Sequence, residues 1–95
     1  MQAELLIRER VAYPDGALVE MVVWRLPGPM QPSQHRFKYR LVYVVGGRRV
    51  LGYDNERGKG DHRHLGDKEE AFLFTSIEQL LAQFTSEVEA IRSGS

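Results

Sequence analysis

Between Tyr53 and Gly66 the chain reads Tyr-Asp-Asn-Glu-Arg-Gly-Lys-Gly-Asp-His-Arg-His-Leu-Gly, a stretch that holds two of the three histidines and a lysine flanked by glycines. Its residue types suit cleavage of RNA through attack by a 2′-hydroxyl. That reaction needs a base, an acid and cations that stabilise charge growing on the phosphate. Histidine can serve as either acid or base near neutral pH. His62 and His64 are two residues apart, so in an extended segment both rings project to one side, with Cα atoms about 6–7 Å apart, and Arg63 points the other way. All three converge only if the backbone turns. Lys59, between Gly58 and Gly60, stands where backbone N–H groups can approach an anion. The expected catalytic set is therefore His62, His64, Lys59 and Arg63, with Asp54 orienting a histidine or the lysine.

Other readings of the same residues stay open. His62 and His64 with Asp61, Asp54 or Asp67 form an alternative zinc set, but no third ligand stands at a diagnostic spacing, and no metal or other cofactor is assigned. A nucleotide-binding phosphate loop is rejected, because Gly52 and Gly58 are one residue too far apart and Gly60 replaces the required hydroxyl. Asp54, Asn55, Arg63 and His64 can also simply hydrogen-bond among themselves and buttress a long loop.

The charge distribution favours an anionic partner. The chain is formally neutral, with 13 Lys/Arg and 13 Asp/Glu. Residues 34–66 nevertheless carry eight cations against three acids, whereas residues 67–95 carry two against six. A local positive field holds polyanions whatever the global charge. Arg36, Lys38 and Arg40 alternate along one predicted strand and, with Arg57, are the expected nucleic-acid-binding residues. The same row can also be a solvated face.

The elements that must position these groups follow from periodicity. Ninety-five residues suit one domain spanning 1–95, with a single core. Strands are expected at 4–13, where Leu5, Ile7, Val11 and Tyr13 would share one face, and at 17–26, 35–45 and 48–54, with a short fifth at 71–74. Pro14-Asp15-Gly16 and Gly46-Gly47 supply turns. In the third strand Phe37, Tyr39, Leu41, Tyr43 and Val45 share a face opposite the cations. The segment 53–66 reads as an ordered surface loop. Thr75 or Ser76 caps a helix whose Ile77, Leu80, Leu81, Phe84, Val88 and Ile91 form one apolar stripe, and the terminal residues 91–95 are expected to fray. The class is α+β: a mostly antiparallel, twisted sheet of four to five strands in a meander, with one C-terminal helix packed on the Phe37/Tyr39/Leu41 face. No cysteine, no basic leader and no long apolar run are present, so a cytoplasmic protein without membrane spans is expected. The sheet edges leave room for a homodimer.

The run from Gly52 to His64, preceded by His35-Arg36-Phe37-Lys38-Tyr39-Arg40-Leu41-Val42-Tyr43 and followed by Glu69 and Phe74-Thr75-Ser76, resembles the TumE family. The likeness covers nearly the whole chain and is carried by Tyr-Asp-Asn-x-x-Gly-Lys-Gly-x-His-Arg-His. Ala71-Phe72 stands where similar sequences tend to have Pro-Tyr, so no tyrosine hydroxyl is implied there. The resemblance implies the toxin of a bacterial toxin–antitoxin module and a cognate antitoxin protein as partner. Combined with the residue chemistry, the leading expectation is a metal-independent endoribonuclease acting on RNA. The alternatives are a nucleic-acid-binding module without chemistry, and an interaction protein whose basic face exists to be covered by an acidic antitoxin segment.

Overall fold

The computed structural model describes residues 2–94. Six strands, β1 (Glu4–Ala12), β2 (Leu18–Arg25), β3 (Phe37–Val45), β4 (Arg48–Glu56), β5 (Gly60–Leu65) and β6 (Lys68–Ala71), precede one helix, α1 (Ile77–Arg92). The strands pair in chain order, every pair antiparallel, so the sheet is a pure meander with β1 and β6 at its edges. The α+β class and the covering helix stand as the sequence indicated, with six strands in place of four to five.

Alternation decides which side each residue serves. Val19 and Val23 of β2, Tyr39, Leu41 and Tyr43 of β3, and Leu51 and Tyr53 of β4 are buried on one face together with Leu80, Phe84 and Val88 of α1. The helix stripe read from the sequence is thus the stripe that docks. Ser76 is the N-cap, its Oγ accepting from the Gln79 N–H at 3.1 Å. The far end of the helix is held: Arg92 donates to the Tyr43 hydroxyl at 3.1 Å, pairs with Asp15 at 3.1 Å and lies 3.6 Å from the centre of the Tyr13 ring. These contacts run against the fraying expected at 91–95, although Ser95 lies outside the described residues. Nothing covers the opposite face of the sheet among the described elements. That face carries Trp24, Lys38, Arg40, Asp54, His62 and His64.

Three expectations are corrected. The segment 53–66 is not a loop: β4 runs to Glu56, a tight turn follows, and β5 begins at Gly60. Its strand pattern was masked because both faces of β5 carry polar residues that are held by ion pairs. The short strand expected at 71–74 lies instead at Lys68–Ala71; Phe72 N still donates to Asp61 O of β5 at 3.0 Å, and residues 73 and 74 leave the sheet. They do so because Phe72 and Phe74 have ring partners elsewhere: Phe72 meets Tyr53 edge-on at 4.8 Å, and Phe74 stacks on His35 at 3.8 Å. Finally, a bulge between Leu5 and Ile7 places Leu5 opposite Trp24 on the open side rather than with Ile7.

Candidate nucleic-acid and catalytic face

Cross-strand register builds the site on the open face. Arg40 of β3 lies opposite Asp54 of β4, which lies opposite His62 of β5. One rung along, Gly52 lies opposite His64, and His64 opposite Glu69 of β6. The two histidines therefore share a side, as their spacing indicated. Both are accessible without being loose, with side-chain exposures of 21% for His62 and 12% for His64.

The Asp54 carboxylate reaches diagonally across the ladder to His64, Oδ1 to Nε2 at 3.1 Å. A carboxylate here can only accept, so Nε2 carries the proton and Nδ1 is the basic nitrogen of the neutral ring. Nδ1 of His64 lies 4.0 Å from Glu69, and Nε2 of His62 lies 3.8 Å from the same carboxylate. Glu69 thus stands between the rings and forms an ion pair with either when protonated. Among the described residues, no group of three or more His, Cys, Asp or Glu is arranged to hold a metal ion.

Arg49 joins this face through an absence. A Cβ built on Gly52 would lie 2.9 Å from Arg49 Cδ and 3.6 Å from Nε, so the arginine stem lies along its own strand over the space that glycine leaves. Gly52 has His64 opposite it on β5 and Val42 opposite it on β3. A bulge between Tyr43 and Val44 puts Arg49 on this side. Neither Arg49 nor Gly52 was singled out as a site residue from the sequence; the available signal was a glycine inside an otherwise bulky strand. Glu69 was likewise missed as a site group, because its role depends on the β5–β6 register.

Arg63 is on the covered side. It donates through Nη1 to Glu70 at 2.9 Å and through Nε to the Tyr53 hydroxyl at 3.1 Å, and its Nη2 pairs closely with Glu87 of the helix. Hydrogen bonding to Glu87 raises its pKa above the ordinary arginine value, against the opposing effect of burial. Tyr53 completes the cluster, donating to Glu87 and accepting from Gln83 at 2.9 Å. Burial, followed by the bond to Glu87, pushes its hydroxyl up to about 12. Arg63 therefore ties sheet to helix, with the sheet between it and the histidines.

The remaining candidates line the rim. Lys59 and Arg57 sit in the exposed β4–β5 turn, where Lys59 pairs with Glu56 at 3.6 Å. The glycine-flanked backbone does not form a vacant anion nest: Gly58 N donates to Gln31 O at 2.8 Å and Lys59 N to Glu56 O at 3.1 Å. Arg36 is exposed just before β3, while Lys38 and Arg40 alternate along it on the open side. His35 belongs to the covered side. Its Nδ1 accepts from Phe37 N at 3.1 Å and its Nε2 lies 2.6 Å from Asp61, which also receives the Ser33 hydroxyl. This cluster fastens the proline-rich connection to β5. Asn55, buried, bridges β3 and β4 by accepting from Tyr39 N at 3.0 Å and donating to Phe37 O at 2.6 Å.

A charged, histidine-bearing sheet face of this kind is chemically competent for phosphate, and comparison with known proteins places the chain. Neither curated proteins nor solved structures give a match. No described helix is long and apolar enough to cross a membrane. The family model described as toxin TumE matches residues 2–92, and the chain therefore belongs to the TumE toxin family.

Proposed function

We propose that this toxin is the active component of a toxin–antitoxin module and acts as a metal-independent endoribonuclease. The observation that carries the reading is the Asp54-held His64 beside His62 on the uncovered face, rimmed by Lys38, Arg40 and Arg49. His64 Nδ1 takes the proton of the 2′-hydroxyl as its oxygen attacks the adjacent phosphorus. The bond from phosphorus to the 5′-oxygen breaks, and protonated His62 supplies the proton that this leaving oxygen needs. The products are a 2′,3′-cyclic phosphate and a free 5′-hydroxyl, and the two histidines have exchanged protonation states.

Arg49 supplies charge to the non-bridging oxygens, and Lys38, Arg40, Arg36, Arg57 and Lys59 hold flanking phosphates. Glu69 pairs with whichever histidine is protonated. Arg63 acts through the fold, since its donors are committed to Glu87, Glu70 and Tyr53. The cognate antitoxin is the expected partner and silences the protein by covering this face.

Purified protein incubated with total RNA in excess EDTA tests the reading, beside a His62→Ala/His64→Ala variant shown to be folded by circular dichroism. Fragments with 5′-hydroxyl ends from the parent alone are expected. Intact RNA, or equal cleavage by the variant, overturns it.

A further inference from the structure

The chain has nine aromatic residues besides histidine: four Tyr, four Phe and one Trp. Eight of them belong to the core or pack against it: Tyr39, Tyr43, Tyr53 and Phe84 within it, Tyr13, Phe37, Phe72 and Phe74 at its margin. Trp24 does not. It lies on β2 directly opposite Lys38, on the open side of the sheet, and it is only partly buried. Across the other ladder it faces Leu5, which is 41% exposed and was brought to this side by the bulge in β1. A large aromatic left outside the core of a small domain keeps apolar area in water, so packing does not account for it.

Beside the indole is a hollow of about 310 Å³ lined by Val22, Trp24, Lys38, Arg40, Asp54 and Glu56. The hollow is continuous with the candidate active face through Arg40 and Asp54. Between β2 and β5 lie three strand spacings, about 14 Å, farther than adjacent nucleotides require and within reach of a short extended strand. A flat aromatic with a cation on the neighbouring strand is the arrangement by which sheet surfaces bind unpaired bases: the ring takes the base and the cation takes the phosphate. A duplex cannot offer a base to it without unstacking.

We propose that Trp24, with Lys38 and Arg40, forms a nucleobase subsite that stacks an unpaired base of single-stranded RNA away from the scissile phosphate. The inference rests on the ribonuclease reading and narrows its substrate to single-stranded RNA. Lys38 and Arg40 hold the backbone between the stacked base and the histidines. Glu56, at the rim, accepts from a base edge.

Because Trp24 is the only tryptophan, its fluorescence reports this subsite alone. The folded His62→Ala/His64→Ala variant, titrated with a short single-stranded oligoribonucleotide, is expected to show saturable quenching that tracks the anisotropy of a labelled copy of the same oligonucleotide. A duplex of that sequence is expected not to quench. On the same background Trp24→Ala weakens binding about ten- to hundredfold, while Trp24→Phe keeps it within a few fold. Binding without quenching, equal quenching by duplex, or unchanged affinity of a folded Trp24→Ala variant overturns the subsite. The two readings fail separately: quenching by a protein whose parent never cleaves sinks the nuclease and keeps the subsite, and cleavage without quenching does the reverse.

Discussion

Asp54 and His64 are bonded across a diagonal of the β4–β5 ladder, Oδ1 to Nε2 at 3.1 Å, although the residue directly opposite Asp54 is His62. The diagonal leaves His62 free of Asp54 and gives the two rings different surroundings, which is what a base and an acid require. His64→Ala is expected to lower RNA cleavage about 10²- to 10⁴-fold with the fold intact. Asp54→Asn, which no longer enforces the tautomer, is expected to cost roughly 10²-fold or more. Cleavage kinetics on a defined oligoribonucleotide measure both; a fully active, folded His64→Ala protein removes the assignment.

Gly52→Ala tests whether Arg49 acts from its position over Gly52. The added Cβ meets the arginine stem at 2.9 Å, and that stem is exposed and able to move, so stability should change by less than about 1 kcal/mol. Cleavage should fall as far as in Arg49→Ala. The double variant should fall no further, because both changes remove one interaction. Additive losses would mean that Gly52 matters for another reason.

Arg63→Ala separates chemistry from scaffold. With side-chain exposures of 19% for Arg63 and 27% for Glu87, the pair is largely screened from solvent, and losing it together with the Tyr53 contact should cost about 2–4 kcal/mol. A lower denaturation midpoint with unchanged cleavage per folded molecule is expected. Lost cleavage at unchanged stability would return Arg63 to the catalytic group.

His35→Ala should loosen the proline-rich connection without touching the open face. The lost bond to Asp61, at 2.6 Å, and the lost stacking on Phe74 should cost about 1–3 kcal/mol together. Hydrogen exchange at the Gly58 amide, bonded to Gln31 O, is the local readout and should quicken. No change there would show that the connection is held by other contacts.

Tyr53 sets an alkaline limit. Its hydroxyl is pushed up to about 12 in the folded protein, against roughly 10 in an unfolded chain. Folding therefore favours the protonated form, and this contribution is whole below a pH of about 10 and is lost as the pH climbs toward about 12. Denaturant midpoints across that window should drop in the parent, with a smaller slope in Tyr53→Phe. Equal slopes would place the alkaline loss elsewhere.

The sequence alone determined the α+β class, the meander of β1 to β4, and the helix with its docking face, leaving Thr75 or Ser76 as its cap, because alternation and the helical stripe are local patterns that report which side of an element is buried. Its spacing put His62 and His64 on one side of the segment, with Arg63 opposite, only if that segment were extended, and Arg63 was still expected to join the catalytic set. It misplaced the hairpin at 53–66, since strand signals rest on apolar alternation and β5 has polar residues on both faces. Partner choice was beyond it. Whether Arg63 faces a phosphate or Glu87, whether Asp54 reaches His62 or His64, and whether Arg49 lies over Gly52 depend on register between strands and on where the helix lies. Those are relations between residues distant along the chain, and only the closed packing of the sheet against the helix sets them.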